Sequence, residues 1–130
     1  MTEKTVRTLL LITGLTLVAQ ALWMFFAPES FYDAAGPFGV YNDHYVRDAA
    51  TFTFGLGAIL VLAAPRPTWR VPALVAVAIT FAAHAINHLV DISDADPKSV
   101  GYIDFFLLAG TAVLLAGFAK RLNDEERQNP

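Results

Sequence analysis

All three histidines of the chain stand near carboxylates at helical spacings. His84, Asn87, His88 and Asp91 fall within one stripe of roughly 100° when each residue turns a helix by about 100°. His44 and Asp48 are four residues apart, with Arg47 beside them and Thr51 and Gly55 continuing the face. Asp104 lies a few residues inside a later apolar run. Two imidazoles one turn apart suit a single metal ion. Asp91 could be a third ligand and His44 could join from another helix, while Asp48 or Asp91 could instead fix an imidazole tautomer as an outer acceptor. The metal set read in this way is His44, Asp48, His84, His88 and Asp91. Nitrogen and oxygen donors without sulfur suit divalent zinc, copper, iron or manganese. The absence of cysteine excludes thiolate metal sites, iron–sulfur clusters and Cys-x-x-Cys redox chemistry. A carboxylate-bridged dinuclear centre needs several inward glutamates, and only Glu29 is near. Haem between His44 and His84 or His88 is geometrically conceivable, but nothing else in the sequence favours it.

The same residues support two other readings. Arg47, Asn87 and Asp104 extend the cluster into a ligand- or proton-handling site, because histidine titrates near neutral pH and ionisable groups within membrane segments are functional by default. Alternatively the cluster is a structural network. Arg47 would pair with Asp91 or Asp104, and each interhelical hydrogen bond would contribute about 0.6–2 kcal/mol. The residues alone leave metal, ligand or proton, and structure open.

The elements that must position these groups are apolar. Hydrophobic residues make up 55% of the 130 and charged residues 16%, more apolar and less charged than a water-soluble domain. A hydrocarbon core roughly 30 Å thick takes about 20 helical residues. Four segments meet that length, at about 8–27, 45–64, 71–90 and 100–119. Short Pro-, Gly- and Asp-containing connections separate them, so neighbours should run antiparallel. The expected fold is all-α, a single-domain antiparallel bundle of four transmembrane helices. Asn42 or Asp43 should cap the second crossing, and Pro72 suits the first turn of the third. Gly14, Gly55, Gly57, Gly110 and Gly117 allow close helix approach in lipid. The connection 28–44 carries a short helix signal at Pro28–Tyr32 and is aromatic, which fits an interfacial segment or a lid. The polar tail 120–130 is expected to fray. The basic start, the apolar run and Ala19-Gln20-Ala21 also resemble a signal peptide. The run continues through Phe26, however, and so reads as a retained helix.

Charge sets the orientation. The side holding both termini and the loop around Arg66 carries seven Lys and Arg residues, and the other side carries two, Arg47 and Lys98. The positive-inside rule then places both termini in the cytoplasm of a multi-pass inner (plasma) membrane protein. The opposite side is acidic, which attracts cations and repels anions. By this topology the second helix starts, the third ends and the fourth starts on the acidic side. All eight candidate residues are therefore expected near one outer pocket.

The layout resembles small bacterial four-helix DoxX-like membrane proteins. Ala27-Pro28-Glu29-Ser30-Phe31-Tyr32, Arg47-Asp48 and Gly55-Leu56-Gly57 carry the likeness. Gly36-Pro37, Tyr41-Asn42-Asp43-His44-Tyr45-Val46-Arg47-Asp48 and the later His84 and His88 are similar to an uncharacterised set of bacterial membrane proteins. The resemblance implies an accessory role beside quinone-linked oxidoreductases and assigns no catalytic residues.

The expectation is a membrane protein whose outer His/Asp site binds a metal or small ligand, in a redox system if the resemblance holds. The alternative is a structural or accessory subunit without chemistry of its own. A proton or metal-cation transporter is a third class, and it would need more helices than one chain supplies. The expected partners are the lipid bilayer and either further copies of the chain or a larger membrane complex, with no nucleic acid.

Overall fold

The computed structural model describes residues 1–128. They form five α-helices: α1 (Glu3–Phe26), α2 (Pro28–Ala35), α3 (Asp43–Ala63), α4 (Pro67–Val90) and α5 (Lys98–Gln128), with a 3-10 turn at Ile92–Asp94. No strand occurs among the described residues. Four of the helices, α1, α3, α4 and α5, are long and apolar enough to cross a membrane.

Local chemistry explains where they begin and end. The Thr2 hydroxyl accepts from Thr5 N–H and opens α1. Asn42 caps α3 by accepting from the N–H groups of His44 at 3.1 Å and Tyr45 at 3.3 Å. Pro28 and Pro67 occupy first turns, where a missing N–H costs nothing. Because α4 starts at Pro67, Pro72 lies inside the helix and not in its first turn, and it withholds one N–H from the ladder.

The tail also differs from expectation. Residues 121–128 continue α5 in place of fraying, because Lys120–Asp124 and Arg121–Glu125 pair one turn apart and Leu122 is buried. The Met1 ammonium reaches Glu125 at 2.9 Å and ties the chain start to this last stretch. The final two tail positions lie outside the described residues.

Helix α1 packs closely on α3 and α4 on α5, with a thinner contact between α3 and α4 joining the two pairs. The first seam depends on two glycines. A Cβ on Gly14 would lie 2.8 Å from the Gly57 carbonyl oxygen, and one on Gly57 would lie 2.7 Å from that of Gly14. Backbone therefore meets backbone, which only glycine permits on both sides. The helices alternate in direction. Arg47, near the start of α3, donates to the carbonyl of Phe25 at the end of α1, while Arg70 near the start of α4 reaches Glu3 at the start of α1.

The buried core gathers in the half of the bundle that holds the chain ends. Val6 and Leu10 of α1, Leu60 of α3, Leu74 and Val77 of α4, and Leu115 of α5 form its centre. Outward-facing positions are apolar as well: Val113 is 71% exposed and Leu114 75%. So much continuous apolar surface is unfavourable in water by about 25 cal/mol per Å² and fits a lipid surround.

At the opposite, far end, the connection after α2 lies against the connection between α4 and α5. Gly39 N–H donates to the Asp94 carbonyl at 3.1 Å, and Asp96 N–H donates to the Pro37 carbonyl at 3.0 Å. Gly39 has φ +62°, in the left-handed region that glycine adopts at least cost. The Tyr32 hydroxyl donates to the Gly39 carbonyl at 2.6 Å and anchors this strap to α2.

Candidate functional site

Where the terminal half has a core, the far half has a cavity of about 720 Å³. Every helix contributes to its wall: Leu17, Gln20 and Met24 from α1, Phe31 and Tyr32 from α2, and Tyr45, Ala49, Phe52 and Thr53 from α3. Thr80, Phe81, His84, Asn87 and His88 come from α4, with Asp91 just after its end, and Asp104 and Leu107 come from α5. Phe31 and Tyr32 place α2 over the cavity, as a lid would lie.

The polar stripe of α4 therefore faces the interior and meets α5. His84 Nε2 and His88 Nε2 are 3.1 Å apart and share a hydrogen bond. His88 Nδ1 faces Asp104 Oδ2 across 4.0 Å, too far for a hydrogen bond. Both of those atoms are buried without a partner. The side chains themselves are only 13% and 21% exposed. Phe38 of the strap stands edge-on to the His88 ring with centroids 4.5 Å apart, closing the site from the far side.

These contacts restrict the tautomers of a neutral pair. The shared hydrogen bond needs one proton between the two Nε2 atoms. If His84 supplies it, His88 carries its own proton on Nδ1, aimed at Asp104. If His88 supplies it, the Nδ1 lone pair confronts a carboxylate, which is unfavourable. The first arrangement gives a directional line from His84 through His88 to Asp104. Such a line can accept a donor from a ligand in the cavity at His84 Nδ1, while the 4.0 Å gap leaves its other end unbonded to the carboxylate.

The other expected members are elsewhere. His44 and Asp48 do pair, with Nε2 and Oδ2 3.4 Å apart, but both are well exposed and neither lines the cavity. Helix α3 turns Ala50 and Gly57 inward, sets Tyr45, Ala49 and Phe52 at the open edge of the cavity, and leaves His44, Asp48, Thr51 and Gly55 outside it, where nothing lies within 4 Å of a Cβ added at Gly55. Polar residues within a turn of the interface can reach water, so the polar side of a helix need not be its inner side there. Arg47 pairs with Asp43 and donates to the Phe25 carbonyl at 3.3 Å, away from Asp91 and Asp104. Asn87 and Asp91 are on the cavity wall.

The five-residue metal set is thus not assembled. The two Nε2 atoms of His84 and His88 are close enough to share an ion, but among the described residues no three His, Cys, Asp or Glu side chains converge to hold one. Nor is His44 placed opposite His84 or His88 as a haem would need. Among the polar residues that line the cavity, Gln20 and Thr53 were not singled out from the sequence as site residues. Gln20 carried a usable signal, since an amide in the middle of an apolar helix needs a polar surround. Tyr41, in the connection before α3, has its phenol pushed above the ordinary tyrosine range, first by loss of solvent and then by Asp43 and Glu29 nearby.

None of the curated proteins and none of the solved structures matches the chain. A family model described as "Domain of unknown function (DUF4345)" matches residues 5–107, which take in all four membrane-length helices as far as Asp104 and its neighbours, and hence every residue of the His84–His88–Asp104 line. The chain belongs to that family.

Proposed function

We propose that this is a multi-pass membrane protein, with both ends of the chain on the cytoplasmic side, whose far-end cavity receives a small amphipathic ligand. The ligand would lay its apolar body against the aromatic and aliphatic walls and place one polar group at His84, His88 and Asp104. The supporting observation is the hollow far half: a cavity of about 720 Å³, within the usual range for small-molecule sites of about 300–1,000 Å³, with unpartnered polar atoms in its wall. Such atoms are costly when buried unless something binds them. Orientation rests on the Lys and Arg imbalance between the two ends. The likeness to DoxX-like proteins rests on short motifs and supplies no residue role, so redox partnership adds nothing to the cavity argument.

The test is photolabelling in lipid nanodiscs with a neutral apolar probe, trifluoromethyl-phenyldiazirine. Labelling of the peptides carrying Phe38 and Phe81 should saturate and be competed by phenylbutanol. The lipid-facing Phe106 peptide should label without saturation. Ala49→Trp, which fills the cavity without changing charge, should abolish the saturable part. Non-saturable labelling throughout would reject a ligand cavity and leave the accessory-subunit reading in its place.

A further inference from the structure

Resting on that reading of the cavity, we infer that its ligand is a cation: a protonated amine carried on an apolar, preferably aromatic, body. The wall chemistry supports this. Asp91 and Asp104 supply carboxylates, and among the described lining residues there is no lysine or arginine. Arg47, the basic residue of α3, is held by Asp43 and by the Phe25 carbonyl. Asp104 Oδ2 is buried without a donor, and the nearest imidazole nitrogen stands 4.0 Å off. A carboxylate removed from water without a countercharge is strongly unfavourable, and a bound ammonium relieves it. Because Oδ2 itself is shut off, the 21% of the Asp104 side chain left open to the cavity belongs to its other atoms, and the ligand would approach there.

The apolar wall points the same way. Phe31, Tyr32, Phe38, Tyr45, Phe52 and Phe81 all line the cavity. Aromatic faces are attracted to organic cations through the ring quadrupole and offer nothing comparable to an anion. In the favoured tautomers His84 Nδ1 adds one free acceptor, which an amine N–H can use and a carboxylate ligand cannot. The far end is acidic, with Glu29 and Asp33 in α2, Asp43 at the start of α3 and Asp94 and Asp96 in the α4–α5 connection against Arg47 and Lys98, so approach is favoured for cations as well. An anionic amphiphile would meet two carboxylates and no cation.

Three probes with one hydrocarbon body separate charge from fit: phenylbutylamine, phenylbutanol and phenylbutyrate. Binding is measured at neutral pH to the whole protein in nanodiscs of zwitterionic lipid, with empty nanodiscs subtracted. The amine should bind roughly tenfold or more tighter than the alcohol, with the carboxylate weakest. Asp104→Asn should bring the amine-to-alcohol ratio close to one, and Asp104→Glu should restore a preference for the amine. Asp48→Asn removes a carboxylate outside the cavity and should keep the preference. Loss of the preference in Asp48→Asn would trace it to surface charge and overturn the assignment to Asp104. Equal or tighter binding of the alcohol, or of the carboxylate, would overturn the cationic ligand while leaving a ligand cavity in place. Binding of none of the three would overturn both.

Discussion

At the terminal end of the bundle Arg70 is packed beneath the core, donating to both oxygens of Glu3 and to the Ala64 carbonyl at 2.7 Å. At the far end His88 and Asp104 are likewise held between helices, yet the two atoms they turn toward each other have no partner and remain 4.0 Å apart. Aliphatic side chains fill the space around Arg70, whereas a cavity of about 720 Å³ borders His88. The terminal half has an open groove of its own, about 500 Å³ beside Leu10 and Leu115, but that groove is apolar, so the two halves differ in where open space meets unpartnered polar atoms. Buried polar groups that are satisfied stabilise a unique arrangement, and those left unsatisfied mark where the molecule keeps capacity for something else. The contrast is not absolute, since Arg70 Nε also lacks a partner, but its two other nitrogens are bound.

The largest effect should come from breaking the satisfied end. Arg70→Met fills similar volume but leaves Glu3 and the Ala64 carbonyl without their donor. Removing one side of a buried, charge-assisted set costs several kcal/mol when both partners are enclosed. Here Glu3 is 70% exposed and water can replace much of the loss, so the cost should be about 2 kcal/mol. Denaturant unfolding in micelles would show it. No change in midpoint would mean the terminal end is no better satisfied than the far end.

The second effect is smaller and of opposite sign. Asp104→Leu removes a carboxylate that has no donor and replaces it with an apolar group of similar shape. Such exchanges are neutral or stabilising, so stability should rise by up to about 1 kcal/mol while binding of phenylbutylamine falls. A clear loss of stability would show that Asp104 is satisfied in the folded protein, and the hollow end would then be a structural network like the terminal one.

The number and alternation of the membrane-length helices were legible in the sequence because apolar length is a strong constraint in lipid, where every backbone group must be paired within the element. The stripe on α4 was legible for the same reason: four polar residues on one face of an apolar helix have to face inward. Three things were not. Composition suggested that the tail after Lys120 ends the last helix, but one-turn ion pairs and the buried Leu122 carry it to Gln128. The strap between residues 36–42 and 92–97 is held by backbone hydrogen bonds, which leave no periodicity to read. The face of α3 was misjudged because His44 and Asp48 lie close enough to the end of the bundle to be solvated. Burial on α3 instead follows the small residues Ala50 and Gly57 that let the helices approach, and polarity does not choose the side.

The smallest expected effect sharpens that last point. His44 and Asp48 form the kind of exposed pair that contributes at most about 0.5 kcal/mol, with side chains 75% and 56% exposed and the imidazole charged only when protonated. His44→Ala should therefore leave unfolding midpoint and probe binding within error, whereas His88→Ala should remove the contact to His84 and the ring under Phe38 and weaken probe binding. Comparing the two variants asks which histidines belong to the site, using residues that share a type but differ in surroundings. Equal loss of binding in both would mean that α3 turns its polar face inward when a ligand is present. The open half of the bundle would then close around its occupant, with His44 joining His84 and His88 only in the bound state.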